Sequence, residues 1–94
     1  MDKLNEKDFK ELAPGENRCV QVGEKPVVVF NAEGNLYACE DFCPHLGGPL
    51  SEGSLTGKII ECPWHGAKFD LETGKNIAGP GRDLRIIPIE KKSV

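Results

Sequence analysis

Four side chains of metal-binding type lie near the middle of the sequence, in two pairs of one cysteine and one histidine each. Cys43-Pro44-His45-Leu46-Gly47-Gly48-Pro49-Leu50 offers a thiolate and an imidazole two positions apart, and Cys62-Pro63-Trp64-His65-Gly66-Ala67 offers the same pair three positions apart. His45 and His65 are the chain's only histidines. A proline after each cysteine has a fixed φ and keeps that cysteine out of the helical region, so each segment is a turn that aims its two ligands the same way. Gly47, Gly48 and Gly66 remove Cβ atoms where backbone must come close, which leaves amide N–H groups free to point at sulfur. Two cysteines with two histidines admit either zinc or an iron-sulfur cluster. A structural zinc site of this composition commonly groups Cys with Cys and His with His, whereas here each loop holds one of each. If one iron takes both thiolates and a second takes both imidazoles, each loop must feed both irons, and interleaving C-x-H with C-x-x-H does this.

The pattern C-x-H, sixteen intervening residues, then C-x-x-H resembles the Rieske iron-sulfur motif. Beyond Cys43 to His65, the length and strand-rich flanks of the chain are similar to those of the free-standing Rieske-type ferredoxins of bacterial aromatic-ring dioxygenase systems. Gly79-Pro80-Gly81 resembles the proline loop that covers the third side of the cluster in that family. The resemblance implies one Rieske-type [2Fe-2S] cluster, with Cys43 and Cys62 on the buried iron and His45 and His65 on the outer one. It also implies a one-electron carrier rather than an enzyme, a monomer that meets its partners transiently at the tip around His45 and His65. The donor would be a flavin-containing NAD(P)H reductase and the acceptor a terminal oxygenase. Two other readings are the Rieske-like small subunit of a nitrite reductase or other multicomponent oxidoreductase, and a structural zinc-binding interaction module. Rieske proteins of respiratory complexes carry an extra cysteine in each loop, where this chain has Gly48 and Trp64, so their disulfide has no counterpart. They also place a Ser and a Tyr hydroxyl against the cluster, at the positions of Ala67 and Phe69. Without these donors the potential is expected near the low end of the Rieske span of about −150 to +300 mV.

The elements that must position these loops read as all-β. Eleven glycines and seven prolines leave little room for a long helical period. Strands are predicted at Cys19 to Val22, Val27 to Asn31, Leu36 to Glu40, Ile59 to Cys62, Lys68 to Asp70 and Leu84 to Ile89, from β-branched and aromatic content. Asn31 to Asn35 should close a hairpin and Leu71 to Lys75 should turn the chain. Pro88 suits an edge or a bulge. Lys7 to Leu12 fits a short helix or a strand. With the resemblance, the expected architecture is an antiparallel β-sandwich of Rieske type with a small cluster-binding subdomain formed by the two loops.

A chain of 94 residues is one domain, 1–94, with the cluster-binding part at about 40–70 inserted in a β base. A net charge of −3 argues against a nucleic-acid partner. The longest apolar run, Val27 to Phe30, is far short of the roughly 20 residues that span a bilayer, and no leader pattern is visible, so a soluble cytoplasmic location without membrane contact is expected. Cytosolic reduction disfavours disulfides among the four cysteines. Cys19 and Cys39 read as small buried hydrophobes. Trp64 reads equally as a docking anchor or as packing, Glu40, Asp41 and Glu52 as a solvated face, and Arg82, Asp83 and Arg85 as a surface ion pair of little worth. No nucleophile-base set or phosphate loop is present.

Overall fold

The computed structural model describes residues 4–41, 49–63, 67–78 and 82–90. Among them the order is β1 (Leu4–Asn5), a 3-10 turn η1 (Glu6–Phe9), β2 (Asn17–Val22), β3 (Lys25–Ala32), β4 (Asn35–Glu40) and a second 3-10 turn η2 (Leu50–Glu52). There follow β5 (Ser54–Thr56), β6 (Ile59–Glu61), β7 (Lys68–Asp70), β8 (Asn76–Ala78), β9 (Ile86–Ile87) and β10 (Ile89–Glu90). Two four-stranded antiparallel sheets form, β2-β3-β4-β9 and β5-β6-β7-β8, and β1 pairs in parallel with β10. The predicted all-β class is what the chain adopts.

β3 explains the layering. Its residues Val27 to Ala32 are all buried. Successive strand residues point to opposite faces, so a strand buried at every position must be covered on both. On one face Val28, Phe30, Ala32 and Cys39 meet Leu50, Ile60, Cys62, Ala67, Phe69, Leu71 and Leu84, the contribution of the second sheet and its flanks. On the other, Val27, Val29 and Ala38 meet Leu4, Phe9 and Leu12. Asn31 is the polar member of the run, and its groups are matched. Nδ2 donates to the Leu12 carbonyl at 2.7 Å, and Oδ1 accepts from the Gly34 amide at 2.8 Å.

The predicted hairpin between β3 and β4 forms with Ala32 opposite Asn35. Glu33 and Gly34, at φ 56° and 93°, make a two-residue turn with both positions left-handed, the form that matches strand twist. The turn after Phe69 also forms, with the Asp70 amide donating to the Lys75 carbonyl at 2.9 Å and Gly74 at φ 80°. Pro88 interrupts the predicted strand at Leu84 to Ile89, leaving the short pieces β9 and β10. Lys7 to Leu12 contributes the end of η1, whose first turn is capped by the Asn5 side chain accepting from the Lys7 amide at 3.1 Å.

β1, β5 and β8 were not expected. Ser54–Thr56 and Asn76–Ala78 have too few β-branched or aromatic residues to be seen alone, and they exist because β6 and β7 offer them edges to pair with. Cys19 corrects an expectation: it is exposed, because β2 is the outer strand of its sheet, whereas Cys39 on the inner strand β4 is buried as expected. Arg85 pairs across to Glu40 at 3.9 Å, not with its neighbours, and Asp83 accepts from the Asn76 amide at 2.9 Å.

Candidate metal centre

Of the four expected ligands, Cys62 falls among the described residues, while Cys43, His45 and His65 lie outside them, as do Trp64 and the Gly79-Pro80-Gly81 segment. Cys62 directly follows β6. The last register pair of β6 and β7 is Glu61 with Lys68, and the next contact is the Cys62 amide donating to the Ala67 carbonyl at 2.7 Å. The second ligand loop is therefore the connection of a β-hairpin, closed at its root by the ladder itself. Cys62 is 3% exposed and belongs to the same apolar core as Leu50, Ile60, Phe69 and Leu71.

The first ligand loop has a different root. It leaves β4 of one sheet and returns through Pro49 and η2 to β5 of the other, and among the described residues no strand ladder joins its two ends. The Asp41 amide extends the β3–β4 pairing by donating to the Pro26 carbonyl at 2.9 Å. The Asp41 carboxylate reaches across to Ser51, with Oδ1 accepting from the Ser51 amide at 2.9 Å and Oδ2 from the Ser51 hydroxyl at 3.1 Å. Oδ2 also accepts from the Cys19 thiol at 3.5 Å, and the Ser51 carbonyl accepts from Asn17 Nδ2 at 2.9 Å. The reading of Asp41 as part of a solvated face is thus corrected, since the residue is only half-exposed and its carboxylate is engaged. No sequence pattern marks this set, because Asn17 and Cys19 come from a strand far away in the chain.

Burial pushes the Cys39 thiol up to about 12, with the negative charges of Asp41 and Glu40 adding to it. The Cys19 thiol is also raised, by burial first, with Asp41 raising it further against a Ser51 hydrogen bond that lowers it. Both therefore stay protonated near neutrality and are poor nucleophiles. Glu40 holds Lys25 at 3.7 Å as well as Arg85, with its own side chain 13% exposed.

Three comparisons bear on what this arrangement holds. Residues 4–88 match the Rieske [2Fe-2S] domain family. The chain is 36% identical over 72 residues to the ferredoxin component of the naphthalene 1,2-dioxygenase/salicylate 5-hydroxylase systems of Ralstonia sp, covering 76% of this chain and 69% of that protein. It is 43% identical over 70 residues to the ferredoxin component of biphenyl 2,3-dioxygenase of Rhodococcus jostii (strain RHA1), covering 74% and 65%. The chain thus spans about two thirds of the length of these curated relatives. A chain in the solved complex of reduced oxygenase and oxidized ferredoxin in carbazole 1,9a-dioxygenase superposes with a TM-score of 0.76 at 39% identity, covering 82% of this chain and 81% of that one.

The chain belongs to the Rieske [2Fe-2S] domain family, whose cofactor is a Rieske-type [2Fe-2S] cluster. The described residues fit that group. Cys62 holds its sulfur in an apolar setting, and Ala67 and Phe69, both buried in the same core, bring no hydroxyl to it. No described helix is long and apolar enough to cross a membrane.

Proposed function

We propose that the chain is a one-electron carrier whose cluster is held by Cys43 and Cys62 on one iron and by His45 and His65 on the other. The observation that carries this is the buried Cys62, its amide locked to the Ala67 carbonyl at the root of C-x-x-H, within a chain that matches the Rieske family along nearly its whole length. When bound, the cluster supplies a one-electron couple. Cys62 fixes a thiolate against an apolar wall, which excludes water from the sulfur, and the rigid hairpin root limits how far that ligand moves between redox states. Ala67 and Phe69 withhold the hydroxyl donors that would favour the reduced state, so the midpoint belongs at the low end of the Rieske span.

By likeness to the dioxygenase ferredoxins, the electron comes from a flavin-containing NAD(P)H reductase and goes to a terminal oxygenase. The carrier works as a cytoplasmic monomer that docks transiently. Iron and sulfide analysis with EPR on the purified protein tests the cofactor. The expected result is a red-brown protein with two irons and a reduced-state signal averaging near g of about 1.9. A colourless protein holding one zinc refutes the reading. Cys62→Ala and His45→Ala should each abolish cluster retention. Permanent co-elution with a larger chain on size exclusion would make it a subunit instead of a carrier.

A further inference from the structure

We propose that Asp41 is a positioning residue for the first ligand loop, its carboxylate tying the residue before the loop to Ser51 after it and so setting the distance between the loop's two ends. The inference rests on the reading that Cys43 and His45, carried by that loop, are cluster ligands.

The two loops face the same physical problem and solve it differently. The second is closed by backbone pairing, Cys62 to Ala67. The first joins two different sheets, and among the described residues no hairpin ladder links its ends, whereas the Asp41 carboxylate does bridge them. Asp41 suits this because its own backbone is already fixed, through the amide bond to Pro26 on β3. Ser51 is gripped at three atoms: its amide and hydroxyl by Asp41, and its carbonyl by Asn17. Next to it, Leu50 is fully buried in the core that contains Cys62, so the far end of the first loop is seated against the second ligand hairpin. The clamp thus fixes the first loop's ends relative to Cys62.

The choice of a carboxylate follows from donor counting. Three donors converge on its two oxygens: the Ser51 amide, the Ser51 hydroxyl and the Cys19 thiol. A neutral amide has one acceptor oxygen and would turn a donor toward the others. The acceptor capacity that the clamp requires is the reason for a carboxylate at this position.

The test uses full-length Asp41→Ala, Asp41→Asn and Ser51→Ala proteins. Two quantities are read well below the unfolding temperature: the rate of cluster bleaching by excess iron chelator, and hydrogen exchange of segment 49–55 against segment 25–32. Asp41→Ala should speed both bleaching and exchange in 49–55 about tenfold or more, with exchange in 25–32 unchanged. Asp41→Asn keeps an acceptor for the Ser51 amide but turns its NH2 group on the Ser51 hydroxyl and the Cys19 thiol, so its rates should rise above those of Ser51→Ala while staying below those of Asp41→Ala. Ser51→Ala loses only the hydroxyl bond and should fall between wild type and Asp41→Asn. Wild-type bleaching and exchange in Asp41→Ala overturn the proposal, and so does a rise of exchange that is equal in both segments, since that marks general loss of stability. If Asp41→Ala does not fold, exchange in 49–55 that rises from wild type through Ser51→Ala to Asp41→Asn supports the clamp, and wild-type exchange in both overturns it. If the wild-type chain takes up no cluster, the ligand reading fails, and exchange in the metal-free variants still supports or overturns the clamp.

Discussion

Replacing Gly53 by alanine tests how tightly the ligand hairpin is built. Gly53 sits at φ −78° and ψ −179°, extended backbone that any residue adopts, so what requires glycine is space. A Cβ there would overlap the Glu61 carbonyl oxygen, with the Leu50 carbonyl oxygen at 3.2 Å and the Glu61 carbonyl carbon at 3.3 Å. All of these atoms are backbone, and none can rotate away. Relief requires β5 to separate from β6 by roughly 1 Å, which takes ladder bonds of about 2.9 Å out of hydrogen-bonding range. The pairs at risk are Ser54 with Glu61, Leu55 with Ile60 and Thr56 with Ile59. Overpacking of about 1–3 kcal/mol, with about 1 kcal/mol for each bond lost, gives a destabilisation of about 3 kcal/mol. In a domain of this size that lowers Tm by about 12 °C or more. Glu61 precedes Cys62, so the displacement reaches the proposed ligand and iron retention should fall with Tm. Gly23→Ala is the control. It has φ +63° but nothing within 4 Å of a Cβ, so only the backbone penalty of about 1 kcal/mol applies. Thermal scans and iron content of the two variants decide the matter. A Gly53→Ala protein melting no lower than Gly23→Ala, with full iron, would refute the reasoning.

Two further outcomes follow from buried positions. Phe69→Tyr and Ala67→Ser place hydroxyls in the core that contains Cys62. Each hydroxyl that donates to sulfur favours the reduced state by about 1–2 kcal/mol, a rise in midpoint of roughly 40–90 mV by voltammetry. An unchanged midpoint in both variants would mean that the hydroxyls do not reach the sulfur. Cys39, with its thiol pushed up from 9.0 to about 12, stays protonated in the fold while the unfolded chain loses the proton from about pH 9. The unfolded state then binds fewer protons at this thiol than the folded one, so the contribution of Cys39 to stability is constant below about pH 9 and falls by up to about 1.4 kcal/mol per pH unit between 9 and 12. Denaturant titrations across that range should show the slope in wild type and a shallower one in Cys39→Ala. Equal slopes would refute it.

The strands with strong local chemistry were legible in the sequence. β3 and β4 with their Glu33-Gly34 turn, and β7 with the turn at Gly74, follow from the valine run of β3, the aromatic Tyr37 and Phe69, and glycine at left-handed positions. The partners these strands recruit were not legible. Ser54–Thr56 and Asn76–Ala78 become strands because an edge is offered to them, and Leu4–Asn5 because β10 arrives beside it. The same limit governs the site. C-x-H and C-x-x-H lie within short windows and could be read directly, whereas the clamp of Asp41 and Ser51 with Asn17 and Cys19 depends on which strands become neighbours. The exposure of Cys19 was hidden for the same reason, since Arg18-Cys19-Val20 does not reveal whether its strand is central or outer.

The parallel pairing of β1 with β10 bears on the order in which the molecule comes apart. Leu4 and Ile89 are almost the whole described chain apart in sequence, and among the described residues two pairs join the strands. Bringing such distant segments together costs about 2 kcal/mol more than closing a ten-residue loop. The sheet β5-β6-β7-β8 is instead a meander of consecutive strands, each paired with the next in sequence. Under heat or force, the seam of β1 and β10 is the natural first opening, exposing Leu4 and Phe9 while the meander around Cys62 stays paired. Partial unfolding would thus begin at the layer remote from the second sheet, leaving the buried Cys62 covered longer than Leu4 and Phe9.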